Sequence, residues 1–82
     1  MPFEMFQRVI LTADQLEEGL RAGDVGTLVD RHAAPPGGEA GYSVEFFDMT
    51  GRTVAVVTLP ASSLRQPTPQ DVPSVRVVSV GR

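Results

Sequence analysis

The chain contains no cysteine and no lysine. Without cysteine there are no disulfides, no thiolate metal ligands and no thiol nucleophile, and the redox compartment is left open. Without lysine every cation is an arginine, and a guanidinium suits planar, bidentate recognition. A coding bias towards arginine is the plainer account of the same composition. No run approaches the roughly 20 apolar residues needed to span a bilayer. The first residues, Met1, Pro2, Phe3 and Glu4, lack the basic-then-apolar order of a signal peptide. The expectation is a soluble, cytoplasmic protein with no membrane contact. Internal repeats and long low-complexity tracts are also missing.

With 82 residues, one small domain is expected, and it buries only about two-thirds of its unfolded surface, which leaves little room for a deep substrate cavity. The net charge of −3 offers no overall attraction for nucleic acid or an anionic membrane. Charge is unevenly spread, with acids dominating up to Asp48, whereas Arg52, Arg65, Arg76 and Arg82 face only Asp71 after it.

What is present is a strong hairpin signal. Residues 42–47 and 53–59 are rich in Val, Phe, Tyr and Thr, and the stretch between them holds Asp48 and Gly51, which suit a turn. Alternation puts Tyr42, Val44 and Phe46 on one face, core-like, and Ser43, Glu45 and Phe47 on the other. Val54, Ala55, Val56 and Val57 are apolar on both faces, which predicts a central strand covered on two sides.

Along the rest of the chain, residues 6–11 read as a first strand with Val9 and Leu11 alternating against Arg8 and Ile10. Thr12 and Gln15 make a weak capping-box match. Gly19 and Gly23 stand too close for a full helix, so residues 13–23 read as an ordered loop with at most one turn. Residues 24–30 form the second strand, and Gly26 inside it marks a bulge or a close backbone approach that helps a small sheet curl. Residues 31–41, with Pro35, Pro36, Gly37 and Gly38, read as an exposed loop. Pro60 stops the hairpin's second strand, Ser62 and Ser63 could cap a short 3₁₀ turn, and Leu64 would plug the core. Residues 66–73 hold three prolines and should run extended as a linker. Residues 75–80 return to a β-branched strand pattern, which either completes the domain's own sheet, the reading adopted, or pairs with another chain.

These elements predict an all-β protein: a small, bent antiparallel barrel of about five strands, with a one-turn 3₁₀ break before the last core strand. The barrel domain is placed at residues 1–66, and a Pro-rich linker plus C-terminal strand tail at 67–82. Leu20-Arg21-Ala22-Gly23-Asp24-Val25-Gly26-Thr27-Leu28-Val29 and Gly41-Tyr42-Ser43-Val44-Glu45-Phe46-Phe47 carry a family likeness. It continues through Gly51-Arg52-Thr53, Val57-Thr58-Leu59-Pro60-Ala61-Ser62 and Leu64-Arg65. Over residues 6–65 the chain closely resembles the small bacterial DUF4926 family. The resemblance implies an SH3-like architecture and supplies no activity or site.

Chemistry finds little footing. His32, the only histidine, has no spacing to Ser62, Ser63 or Asp30 that specifies a triad, and beside a Pro/Gly loop it reads as a surface residue. Asp24, Asp30 and His32 lack a metal-ligand spacing, and the Gly-Asp-Val-Gly stretch lacks the strand-glycine-helix context of a phosphate cradle. No enzyme, cofactor or metal is expected. The predicted role is a small interaction module that binds a protein partner, as an antitoxin-like or accessory subunit to a neighbouring gene product. Phe47 is the anchor, with Tyr42, Arg52, Arg65 and Arg76 around it, since aromatic and Arg residues are enriched in binding hot spots. Phe3, Met5 and Phe6 add a second apolar patch; the bland alternative is that Phe47 merely covers a barrel end or packs under the loop at residues 13–23. Two other readings stand beside this one. A nucleic-acid-binding barrel would use Arg52, Arg65, Arg76 and Arg82 on phosphates and Tyr42 or Phe47 for stacking. A homodimer would form by exchange of residues 75–80.

Overall fold

Side-chain alternation decides which face of each strand is buried. In the computed structural model, which describes residues 3–78, β1 covers Arg8–Leu11, β2 Val25–His32, β3 Gly41–Phe47, β4 Thr53–Pro60 and β5 Leu64–Arg65. All pairings are antiparallel, and the strand order is β4-β3-β2-β1-β5. Val9 and Leu11 of β1, Leu28 of β2 and Tyr42, Val44 and Phe46 of β3 turn inwards and are joined by Phe3, Leu20, Leu59 and Leu64. Full burial of each such side chain stabilises the fold by about 1.5–3 kcal/mol.

The sheet curls because two places disturb its register: Val29 is an extra residue in β2 between Leu28 and Asp30, and Val54 is an extra residue in β4 opposite Phe46 and Phe47. Irregularities of this kind bend a strand and increase its twist. Gly26 supplies the third device: a Cβ there would lie 2.5 Å from Val44 Cγ1, so only glycine lets β2 approach β3 side chains so closely. A 3₁₀ turn at Ala61–Ser63 follows Pro60 directly and leads into β5, where Leu64 is buried. Five antiparallel strands curled into a half-barrel, broken by this turn before the last strand, form a small SH3-like barrel. The long first loop contains only the 3₁₀ turn Leu16–Glu18, pinned by an isolated bridge between Gln15 and Leu20. Among the described residues no helix is long and apolar enough to cross a membrane.

Several expectations are corrected. β4 is an edge strand, and its apolar run is open on one side, with Val56 57% exposed; periodicity cannot tell a central strand from an uncharged edge. Residues 75–78 form no strand; Arg76 instead ties this segment to Asp24 just ahead of β2, and Ser79 and Val80 lie outside the described residues. Phe3 belongs to the core, whereas Met5 and Phe6 are exposed. The proposed loop at 31–41 is shorter than expected, since β2 continues through His32 and β3 begins at Gly41. Thr12 caps nothing: its hydroxyl donates to the Ser62 carbonyl at 3.2 Å, and the first 3₁₀ turn has no side-chain cap. Ser62 sits inside the second turn, where its N–H and hydroxyl both donate to the Glu39 carboxylate.

Candidate functional site

Three of the predicted site residues meet on the outer face of the sheet. Alternation turns Ile10 away from the core cluster, yet it is only 5% exposed. The cover is the segment after β5, which folds back so that Pro67, Val72 and Pro73 wall a cleft of about 620 Å³ shared with Ile10, Val25 and Phe47. An adjoining cleft of about 430 Å³ runs on between Phe47, Met49 and Val54 and the far end of the tail at Val75 and Val78. Phe47 is 46% exposed at the junction of the two.

Arginine holds this strap at two points. Arg65 donates to Asp71 through Nη1 at 2.9 Å and Nη2 at 2.7 Å, the bidentate fork that a guanidinium favours. The same carboxylate accepts the Thr68 N–H and hydroxyl at 2.7 and 3.0 Å. The Arg65 hydrogen bonds, with that backbone N–H next, hold the Asp71 carboxyl well below the usual carboxylate range, and Asp71 in turn raises the Arg65 guanidinium. Arg76 grips the Asp24 carboxylate through Nε and Nη2, and its Nη2 also donates to the Gly19 carbonyl at 2.9 Å. Its guanidinium is raised chiefly by the Asp24 hydrogen bonds. Asp24 also accepts the Arg21 N–H at 2.9 Å, so it is both the turn residue read from the sequence and the tail's anchor.

The remaining predicted residues lie elsewhere. Tyr42 is 3% exposed, its ring edge-on to Phe3 with centroids 5.3 Å apart, so it presents no stacking or partner face. Arg52 is exposed at the β3–β4 turn, where its N–H donates to Asp48 Oδ1 at 3.0 Å. Arg82 lies outside the described residues. His32 Nε2 meets the Ser43 hydroxyl at 2.9 Å and Ser43 meets Thr58 at 3.0 Å, a cross-strand ladder on the solvent side with neither Ser62 nor Ser63 in it. Among the described residues no three His, Asp or Glu side chains gather closely enough to hold a metal ion.

A second feature escaped sequence reasoning. Ala61 N–H donates to the Ala40 carbonyl at 2.9 Å, one step beyond the Gly41–Pro60 pair. That pair is therefore of the non-hydrogen-bonded kind, and so by alternation are Ser43–Thr58 and Glu45–Val56. The N–H and C=O groups of Val56 and Thr58 consequently point away from β3, along the free edge. Pro60 continues the pattern, since proline is tolerated where its nitrogen faces outwards; it was the one sequence signal that β4 is an edge. Between this edge and the first 3₁₀ turn lies a cleft of about 590 Å³, lined on the strand side by residues 56–59 and opposite by Asp14, Leu16, Glu17 and Glu18. Leu16 is 61% exposed.

No curated protein and no solved structure matches the chain. A family model, the domain of unknown function DUF4926, matches residues 5–66, a span that holds all five strands, both 3₁₀ turns and the β4 cleft but stops short of Asp71 and Arg76. The chain belongs to the DUF4926 family.

Proposed function

We propose that this chain is a non-enzymatic protein-binding module that takes an extended segment of a partner protein onto the free edge of β4. The observation that carries this reading is an eight-residue edge strand, Thr53–Pro60, without a charged residue or an interior proline. Natural sheets blunt such edges with charges, bulges or covering loops, because exposed ladder groups recruit another strand; the irregularity in β4 is confined to Val54 near its start, and Val56 to Thr58 pair with β3 in regular register. Here the outward groups of Val56 and Thr58 face a cleft lined by residues 56–59, where one more strand would pair by the mode of recognition known as strand addition. In the same reading the module works in the bacterial cytoplasm as an accessory or neutralising subunit to a neighbouring gene product.

The nucleic-acid alternative is weakened by the same geometry. Arg65 and Arg76 are committed to Asp71 and Asp24, and Tyr42 is inside the core, which leaves Arg52 as the one uncommitted cation of the proposed set among the described residues, with Phe47 as its exposed ring. The test is capture from nuclease-treated lysate of the source cell, followed by purification of the retained protein and titration against wild type and Val56→Pro. That substitution removes an outward donor without touching the β3–β4 ladder. Binding of the purified protein by wild type and its loss in the folded variant supports strand addition. Equal binding by both overturns it, and retention that vanishes with nuclease returns the case to nucleic acid.

A further inference from the structure

The cleft beside β4 also says what kind of strand it accepts. Its side opposite the strand carries three carboxylates, Asp14, Glu17 and Glu18, and no cation lines it. Asp14 Oδ1 accepts the Ala22 N–H at 2.8 Å, which fixes that carboxylate in place. Glu17 and Glu18 sit in the 3₁₀ turn itself, and both are exposed. Exposed apolar surface stands on both walls, Leu16 at 61% on the loop and Val56 at 57% on the strand. An incoming strand alternates its side chains, so it can lay an apolar row on that surface and send the other row towards the rim. There a negative or neutral side chain would leave Glu17 and Glu18 uncompensated, Asp14 already being attracted by Arg76, whereas a cationic one meets them. Charge complementarity of this sort selects partners and suppresses wrong ones.

We infer that the β4 cleft is a docking site for an extended partner segment alternating β-branched apolar residues with arginine or lysine. The inference rests on the strand-addition reading above. The residues that select charge, Glu17 and Glu18, stand apart from those that hydrogen-bond the incoming backbone, Val56 and Thr58, so the two can be tested separately.

The experiment titrates the full chain by calorimetry and amide NMR with three acetylated, amidated peptides, SVRVTVRVS, SVQVTVQVS and SVEVTVEVS. The expected order of affinity is arginine over glutamine over glutamate, with roughly fivefold between steps from two exposed ion pairs. That spacing should shrink at high salt and collapse in the Glu17→Gln, Glu18→Gln double variant. Shifts should map to residues 14–18 and 56–59, and all binding should be lost in Val56→Pro. Equal affinity for the three peptides, still abolished by Val56→Pro, overturns the cationic assignment and leaves strand addition standing. No binding by any peptide, or binding indifferent to Val56→Pro, overturns both. A concentration-dependent dimer of the chain alone, dissolved by Val56→Pro, overturns the cationic assignment by giving the edge to a second copy.

Discussion

Replacing Gly26 by alanine tests the account of how the sheet curls. The new Cβ would lie 2.5 Å from Val44 Cγ1 and 2.9 and 3.0 Å from two ring atoms of Phe46. Carbon atoms prefer separations of about 3.5–4.0 Å, so a shift of about 1 Å is required. Val44 is fully buried and Phe46 nearly so, and neither can swing into solvent. Overpacking of this kind costs about 1–3 kcal/mol, offset by about 0.4–1 kcal/mol from the stiffer unfolded chain. The net loss is about 1–2 kcal/mol, a large part of the about 4–12 kcal/mol expected of a domain this size. It corresponds to a fall in melting temperature of roughly 5–15 °C. Gly41→Ala is the control: the nearest atom to its Cβ would be the Leu59 carbonyl oxygen at 3.6 Å, an ordinary contact, so it should be neutral or slightly stabilising. Urea unfolding followed by circular dichroism, with m unchanged between variants, reads both. If Gly26→Ala is as stable as wild type, the close approach of β2 to the β3 side chains does not set the curl.

Three further outcomes follow from the strap and the N-terminus. Ile10→Ala should lose about 2–4 kcal/mol despite its place on the outer face, because the tail buries it; a surface-like loss below about 0.5 kcal/mol in urea unfolding would mean that the tail does not cover it in solution. The Asp71 carboxyl, held down by Arg65 and Thr68, should titrate by carbon NMR below the ordinary aspartate value of about 3.9. A depressed carboxyl stabilises the fold above its unfolded value and loses that contribution as pH falls through its folded one, so the Arg65–Asp71 clamp should persist through the range where other aspartates protonate and release only below it. Titration at the ordinary value would remove the clamp. Phe6 is 71% exposed with φ at 65°, a left-handed conformation that costs an L-residue about 1–2 kcal/mol. Phe6→Gly should therefore gain roughly 1 kcal/mol in thermal unfolding, and a loss would show that the aromatic ring contributes more than the backbone costs.

Much of the fold is legible in local pattern because strand faces are a period-two property. The alternation through Tyr42, Val44 and Phe46 marked the core face, and it placed Phe47 outside. Gly26 marked the close approach, Pro60 the end of a strand, and the short Gly19–Gly23 interval a loop without a full helix. Each rests on constraints that act within a few residues. The candidate site was less legible. Phe47, Arg65 and Arg76 were singled out separately and do meet, but two of them turn out to hold the chain's own tail. Tyr42 was named as a contact residue although alternation already put it on the core face, and the structure buries it against Phe3.

Composition and pattern by themselves determined that this is a small, cysteine-free, all-β domain, that residues 41–60 form its hairpin, and which side chains face inwards. Only the tertiary structure decided that β4 lies at the edge, that residues 66–78 strap across the outer face, and that three carboxylates of the first loop look across a cleft at unpaired strand groups. The physical reason is that alternation and turn chemistry are local, whereas strand order, edge exposure and the pairing of Arg76 with Asp24, 52 residues away, depend on how the sheet closes on itself.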